Sequence, residues 1–278
     1  MNYINRAKQF RAKKRLGQNF LVDPASISAI LEASNITKDD TVLEIGSGLG
    51  FVTEQLVKMA KSVVAVELDE DAIKELEKIE ADNLQIIHAD ILKTNISEFG
   101  KNIKIVANIP YYITTPILIH LLGEVDDLYN ENRNSIDQIT LMVQYEVAKR
   151  IVATESSPSK EYGLLSILSQ FWSEISLVKK VPAKSFFPSP KVDSAILKFD
   201  ISKEPRLSLL NYTFFKKVAK ACFATRRKNI KNSLLSAGFS KEAVNSTLVQ
   251  LSIPENVRGE TLSIENIGKL SEKLKENL

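Results

Sequence analysis

Thr41-Val42-Leu43-Glu44-Ile45-Gly46-Ser47-Gly48-Leu49-Gly50 runs from a short β-branched apolar stretch into a turn holding three glycines. The periodicity of residues 49–59 then reads as helical. The same rhythm continues downstream. Ser62–Glu67, Leu84–His88 and residues 103–107 are further apolar runs, with a helix-like segment at 69–79 between two of them. Such alternation predicts parallel strands joined by crossover helices, an α/β doubly wound sheet. Upstream, Asp23-Pro24 opens a helix reaching residue 33, with a carboxylate cap and proline in the first turn. Downstream, Thr114–Leu122, Tyr145–Val152 and residues 162–171 read as helices, and 136–143 and 175–181 as strands. Residues 154–160 read as a polar loop, and 192–199 alternate as a half-buried antiparallel closing strand.

The 278 residues suffice for a large domain with a small companion. Composition shifts near residues 203–207, beyond which short amphipathic helices follow one another. We therefore expect an α/β domain over 1–204, with a basic N-terminal segment, and a helical second domain over 205–278. No apolar run approaches the ~20 residues of a membrane span. The basic N-terminus lacks the apolar stretch of a secretory signal. Cys222 is alone, and His88 and His120 stand apart, so neither a disulfide framework nor a metal site is expected. A cytoplasmic, metal-free monomer is the plain expectation.

The net charge of +3 hides clustering. Arg6, Lys8, Arg11, Lys13, Lys14 and Arg15 precede the first acid. From Pro205 to Lys241 there is no Asp or Glu, while Lys216, Lys217, Lys220, Arg226, Arg227, Lys228 and Lys231 occur. A single basic run is usually a solvated face. Two runs far apart in one chain point to a polyanion such as nucleic acid.

The glycine turn brings backbone close to a ligand at a helix N-terminus. Its spacing, G-x-G-x-G preceded by Glu44 with Phe51 at the third fingerprint position, departs from the dinucleotide pattern. S-adenosylmethionine, which has no phosphate, fits better. Glu44, Gly46 and Gly48 would face it, Glu67 would take the ribose hydroxyls, and Asp90 would accept from the adenine N6 amine. Asn108-Ile109-Pro110-Tyr111 ends the fourth strand. An amide acceptor, a proline and an aromatic ring suit an exocyclic amine on a planar base. Beside a cofactor pocket they read as amino-group methylation of a nucleobase. Asn-x-Pro is also ordinary turn chemistry, so the weight lies in the combination.

Taken together, the chain resembles the ribosomal RNA adenine N6,N6-dimethyltransferases of the small-subunit (KsgA) type. The likeness runs from Lys13 to Leu274. It includes LGQNFL at 16–21, EIGSGLG at 44–50, VELD at 66–69, HAD at 88–90 and NIPYYITTP at 108–116. Tyr162-Gly163, FFPSPKVDS at 186–194 and TRRK at 225–228 complete it. The resemblance implies a seven-stranded sheet, a helical C-terminal domain, and two adjacent adenosines near the 3′ end of 16S rRNA, within a small subunit in assembly, as substrate. It places Gln18, Asn19 and Leu21 at the cofactor site with Gly46, Glu67, Asp90 and Asn108. Ile109 stands where Leu is commoner, a feature shared with the related large-subunit resistance enzymes.

For the chemistry we expect Asn108 and a carbonyl of Ile109 or Pro110 to accept from the amine. Tyr111 would stack on one face of the base and Phe186 on the other, with Tyr112 and Phe187 packed in the core. Arg226, Arg227 and Lys228, beginning a helix of the second domain, are the first RNA-binding candidates. A resistance-type enzyme acting on large-subunit rRNA and a non-catalytic assembly factor are the competing readings. A small-molecule methyltransferase would explain neither basic cluster.

Overall fold

In the computed structural model, residues 3–158, 161–225 and 227–278 are described. Seven strands form one sheet: β1 (Thr41–Ile45), β2 (Ser62–Glu67), β3 (Leu84–His88), β4 (Ile103–Asn108), β5 (Ile136–Gln144), β6 (Ser173–Val181) and β7 (Ser194–Ile201). Their order is β3-β2-β1-β4-β5-β7-β6. β1 to β5 pair parallel with their neighbours, whereas β7 runs antiparallel to both β5 and β6. The central strands are buried on both faces, Val42, Leu43, Ile103 and Ile105 being almost fully enclosed. That explains why they read as continuous apolar runs.

The chain leaves β1 toward β2 on one side and returns on the other at β4. This switch point opens a crevice beyond the strand C-termini. Ile45 lies level with Val66 on β2 and with Ala107 on β4. The next residues, Gly46, Glu67 and Asn108, therefore emerge side by side. Pairing of Glu67 with His88 brings Asp90 to the same rim.

Local chemistry sets the helices. α1 (Tyr3–Gln9), absent from the sequence expectation, buries Tyr3 and Ala7. Asp23 caps α2 (Pro24–Ser34), accepting from the Ser26 N–H at 3.1 Å. α3 (Thr53–Met59) begins later than expected, because Gly50 at φ +78° keeps the turn open. Asp69 caps α4 (Glu70–Leu76), and α5 spans Thr114–Leu122, while α6 is a single short turn, Glu131–Ser135. α7 (Tyr145–Val152) and α8 (Leu164–Phe171) follow, the latter starting only after Gly163. β7 begins at Ser194, not 192, because the Asp193 carboxylate is held in the preceding loop by the Ala183 N–H at 3.0 Å.

The chain divides into two compact units, but not at one point near residue 204. The first comprises Met1–Gly123, Tyr129–Ala148 and Ser173–Lys203, and contains the whole sheet. The second gathers Glu124–Leu128, Lys149–Trp172 and Glu204–Leu278. Within it lie α8 and α9 (Tyr212–Phe223), α10 (Ile230–Ser236), α11 (Lys241–Gln250) and α12 (Ile264–Glu276). Asn211, Asn229, Ser240 and Ser263 cap the last four in turn. Its core stacks Phe171 on Phe215, with ring centroids 5.4 Å apart, beside the fully buried Trp172. α10 starts at Ile230, so Arg227 and Lys228 sit in the turn before it and not in a helix.

Candidate functional site

A pocket in the first unit lies at the strand C-termini. Gln18, Asn19, Leu21, Glu44, Gly46, Gly48, Glu67, Asp90, Asn108 and Tyr111, all expected at the site, line it. Gly46 and Gly48 have φ +70° and +54°, a backbone that side-chain-bearing residues rarely adopt. A Cβ at Gly46 would lie 3.3 Å from the Asn108 carbonyl oxygen, and one at Gly48 would lie 3.2 Å from the Phe20 ring. The turn is thus drawn tight against both neighbouring walls.

The carboxylates differ in what they leave open. Glu67 accepts from the N–H groups of Gly48 (2.8 Å), Leu68 (2.8 Å) and Asp69 (2.9 Å). One oxygen takes two of those bonds and the other only one, so acceptor capacity remains for a ribose hydroxyl. Burial raises its carboxyl above the ordinary value, and the three bonds oppose that rise. Asp90 engages one oxygen, which accepts from the Leu92 N–H at 3.1 Å. Its other oxygen is open to an amine. Glu44 lines the pocket from a more deeply buried position. Burial pushes its carboxyl up to about 8, and it accepts from the Thr53 hydroxyl at the start of α3. Its part is to join strand to helix.

Residues 16–21 form the outer wall. Gln18 takes the Lys13 N–H (2.7 Å) and donates to Asp69 (2.6 Å), so its amide fastens the segment. Lys13 also pairs with Asp69 and, at 2.6 Å, with Asp71. Burial alone would raise the Asp69 carboxyl, but the bonds from Lys13 and Gln18 hold it below its ordinary value. Asn19 donates to the Gly17 carbonyl at 2.9 Å. Leu21 is buried in a two-residue antiparallel ladder, where it faces Phe186 and Phe20 faces Phe187.

That ladder corrects one expectation. Phe186 is only 3% exposed, belongs to the core beside Leu21 and Ile196, and is not among the pocket-lining residues. Phe187 is partly buried against the same core. Tyr112 corrects another: it is 64% exposed at the pocket, not packed in the core. Tyr111 is half-buried, and its hydroxyl meets the Ser194 hydroxyl at 2.6 Å, which fixes the ring. Burial raises its phenol, against the opposing Ser194 bond. The Asn108 side chain makes no hydrogen bond among the described residues. Pro110 presents its carbonyl to the Ile113 N–H at 3.2 Å.

Sequence reasoning did not single out Leu68 and Ile91, which line the pocket near Glu67 and Asp90. Leu68 is 49% exposed, and an apolar side chain left open beside two acids suits the face of an adenine. The signal was present: an apolar residue directly after a strand-ending acid. Ser194 was missed because its partner, Tyr111, in the turn after β4, lies 83 residues away in the chain.

No Lys or Arg lines the pocket among the described residues. A dinucleotide's phosphates would find no countercharge there. An acceptor-rich, cation-free cradle fits a ligand bearing a sulfonium, an adenine and a ribose, as S-adenosylmethionine does. Among the described residues no cluster of metal-ligating side chains occurs, and no helix is long and apolar enough to cross a membrane.

The second-domain candidates lie apart in kind. Arg227 and Lys228 are exposed, and Lys228 reaches the Ser236 hydroxyl at 2.9 Å. Arg226 falls outside the described residues.

A family model described as ribosomal RNA adenine dimethylase matches residues 9–276. Ribosomal RNA small subunit methyltransferase A of Clostridium botulinum (strain Okra / Type B1) is 42% identical over 269 residues, covering 95% of this chain and 94% of that protein. Among solved structures, a dimethyladenosine transferase from Plasmodium falciparum superposes with a TM-score of 0.77 at 25% identity, covering 93% of this chain and 98% of that one. The 23S rRNA methyltransferase ErmE superposes with a TM-score of 0.69 at 26% identity, covering 92% and 100%.

Proposed function

This chain belongs to the ribosomal RNA adenine dimethylase family, and on that premise we propose that it dimethylates two adjacent adenosines near the 3′ end of 16S rRNA. The methyl donor is S-adenosylmethionine and the product N6,N6-dimethyladenosine. Its substrate is a small subunit in assembly, on which it acts as a cytoplasmic monomer. The observation that carries this reading is Asn108, its amide open at the end of β4, level with the glycine turn and followed by the anchored Tyr111 ring.

Bound in the cradle, the cofactor supplies a methyl group already activated on a sulfonium. The protein need therefore form no covalent intermediate. Gly46 and Gly48 would let the backbone close on the donor, Glu67 would hold its ribose, and Asp90 would accept from its adenine. Leu68 and Ile91 offer apolar faces to that ring. For the acceptor base, Asn108 Oδ1 takes one hydrogen of the N6 amine. The Pro110 carbonyl is already engaged by Ile113, so the Ile109 carbonyl takes the other. Two acceptors favour a pyramidal nitrogen with its lone pair aimed at the methyl group, and they stabilise the positive charge that develops. Tyr111 stacks on the flipped base, a contact of ~1–3 kcal/mol. The proton leaves to water. No general base is assigned.

The competing large-subunit reading draws support from the likeness to ErmE. We favour the small subunit because the curated relative at 42% identity, matched almost end to end, carries that name. Labelled methyl incorporation tests the choice, using small subunits from cells lacking the modification beside large subunits and naked rRNA. Dimethyladenosine in the small-subunit rRNA alone is the expected product. Label in large-subunit RNA would move the protein to the other branch. Cofactor binding without any transfer would favour a non-catalytic assembly factor.

A further inference from the structure

Tyr112 is an unusual residue for its place. A large aromatic side chain, 64% exposed and with no hydrogen bond among the described residues, stands at the mouth of a pocket next to the ring proposed to stack on the target base. Its position is fixed from below. A Cβ at Gly17 would lie 3.3 Å from Tyr112 Cε1 and 3.3 Å from Pro110 Cβ, so one edge of the ring lies against Gly17 while most of the side chain stays exposed. Gly17 closes the single turn Lys14–Leu16, its N–H reaching the Lys14 carbonyl at 3.0 Å. Lys14 and Arg15, within three residues of the ring's support, are exposed and make no ion pair among the described residues. Lys13, their neighbour, is consumed by Asp69 and Asp71 and anchors the turn.

An open aromatic face beside free cations is the arrangement that holds a single-stranded nucleotide, base on ring and phosphate on cation. We propose a second nucleotide subsite at the mouth of the methyl-transfer pocket, in which Tyr112 stacks on a base flanking the target adenine while Lys14 and Arg15 hold the adjoining phosphate. This rests on the functional reading above, and it adds a place for the unmodified neighbour that a reaction on adjacent adenosines must accommodate.

Two measurements test it. In the first, KM and kcat for undermethylated small subunits are compared between the wild-type protein and Tyr112→Ala, Tyr112→Leu and Tyr112→Trp, with S-adenosylmethionine affinity measured alongside. Loss of one stacking contact raises KM roughly tenfold in the Ala and Leu variants, and the Trp variant restores it. Cofactor affinity does not change. A Leu variant equal to wild type, or a change confined to cofactor affinity, makes Tyr112 a mere apolar cover and overturns the proposal. In the second, fluorescence anisotropy follows a labelled single-stranded oligoadenylate. Tyr112→Ala weakens its binding, and Lys14→Ala and Arg15→Ala each reduce the salt slope by about one. Binding identical to wild type in all three variants overturns the subsite. A wild-type protein that transfers no methyl group sinks the functional reading alone, because the anisotropy arm still decides the subsite.

Discussion

The N-terminal strap, residues 3–21, holds six cations and the stretch from α9 to α10 seven, yet they use their charge differently. In the strap, Arg6 pairs with Glu54 and Lys13 with Asp69 and Asp71, and these bonds press residues 16–21 against the pocket. Arg11, Lys14 and Arg15 remain exposed and without ion pairs among the described residues. In the helical unit, Lys216 is taken by Asp126 (2.8 Å) and Lys231 by Glu255 (2.8 Å), while the Lys217 ammonium sits 4.8 Å over the Phe239 ring. Lys220 and Arg227 stay open there. Density of cations along a chain therefore says little about cations available to a partner. Carboxylates far away in sequence decide it.

The contrast can be broken first at the pocket the strap closes. Asn108→Ala removes the acceptor proposed for the amine, and kcat should fall by about 10²–10³-fold. Cofactor affinity should hold, because Glu67, Asp90 and the glycine turn are untouched; single-turnover transfer and calorimetry separate the two. Matching losses in both would end that division of roles.

A smaller effect is expected from releasing the strap. Asp69→Ala frees Lys13 and Gln18 together, and a wall in place only a tenth of the time would raise the apparent cofactor Kd about tenfold. Since the native Asp69 carboxyl lies below its ordinary value, its contribution is present above the unfolded pKa. It is lost as pH falls through the folded one. Cofactor titrations of both proteins across acid pH should therefore converge.

Glu44 behaves in the opposite sense. Its carboxyl sits at about 8 in the fold, against an ordinary 4.5, so the unfolded chain sheds this proton first. Stability should decline between those two values as pH rises. Glu44→Gln should flatten that slope and leave the variant the more stable of the two near pH 8 in denaturant titrations. Least of all should come from the helical unit. Lys231→Ala breaks an exposed pair and should cost under ~1 kcal/mol, with RNA affinity and its salt slope unchanged. A salt slope that drops with Lys231 would erase the distinction between the two basic regions.

Much of the sheet was legible because its strands are buried on both faces, so that Thr41–Ile45 and Ser62–Glu67 could be read to the residue. α5 was equally plain, bounded by a β-branched start and the Gly123 end. Nine residues expected at the cofactor site do line one pocket, since strand-ending positions follow directly from strand assignment. What failed depended on partners remote in sequence. Which of Phe186 and Phe187 turns inward is set by pairing with Phe20–Leu21, and an alternation of period two cannot choose its own face. Tyr112 was assigned to the core because exposure of an aromatic has no local signature. The membership of residues 149–172 in the helical unit depends on Phe171 meeting Phe215, a contact that no composition shift announces.

That last arrangement bears on how the protein is made. Synthesis delivers Phe171 and Trp172 before β6 and β7, and well before Phe215 that will enclose them. The sheet can be completed while α8 still waits with its aromatic side chains bare. For that interval the nascent chain displays a sticky helix that cannot mature in order of emergence, the kind of exposed surface that chaperones shield. An RNA-modifying enzyme whose proposed substrate is an unfinished ribosomal subunit thus passes through an unfinished state of its own, and slowing translation within residues 173–215 would lengthen it.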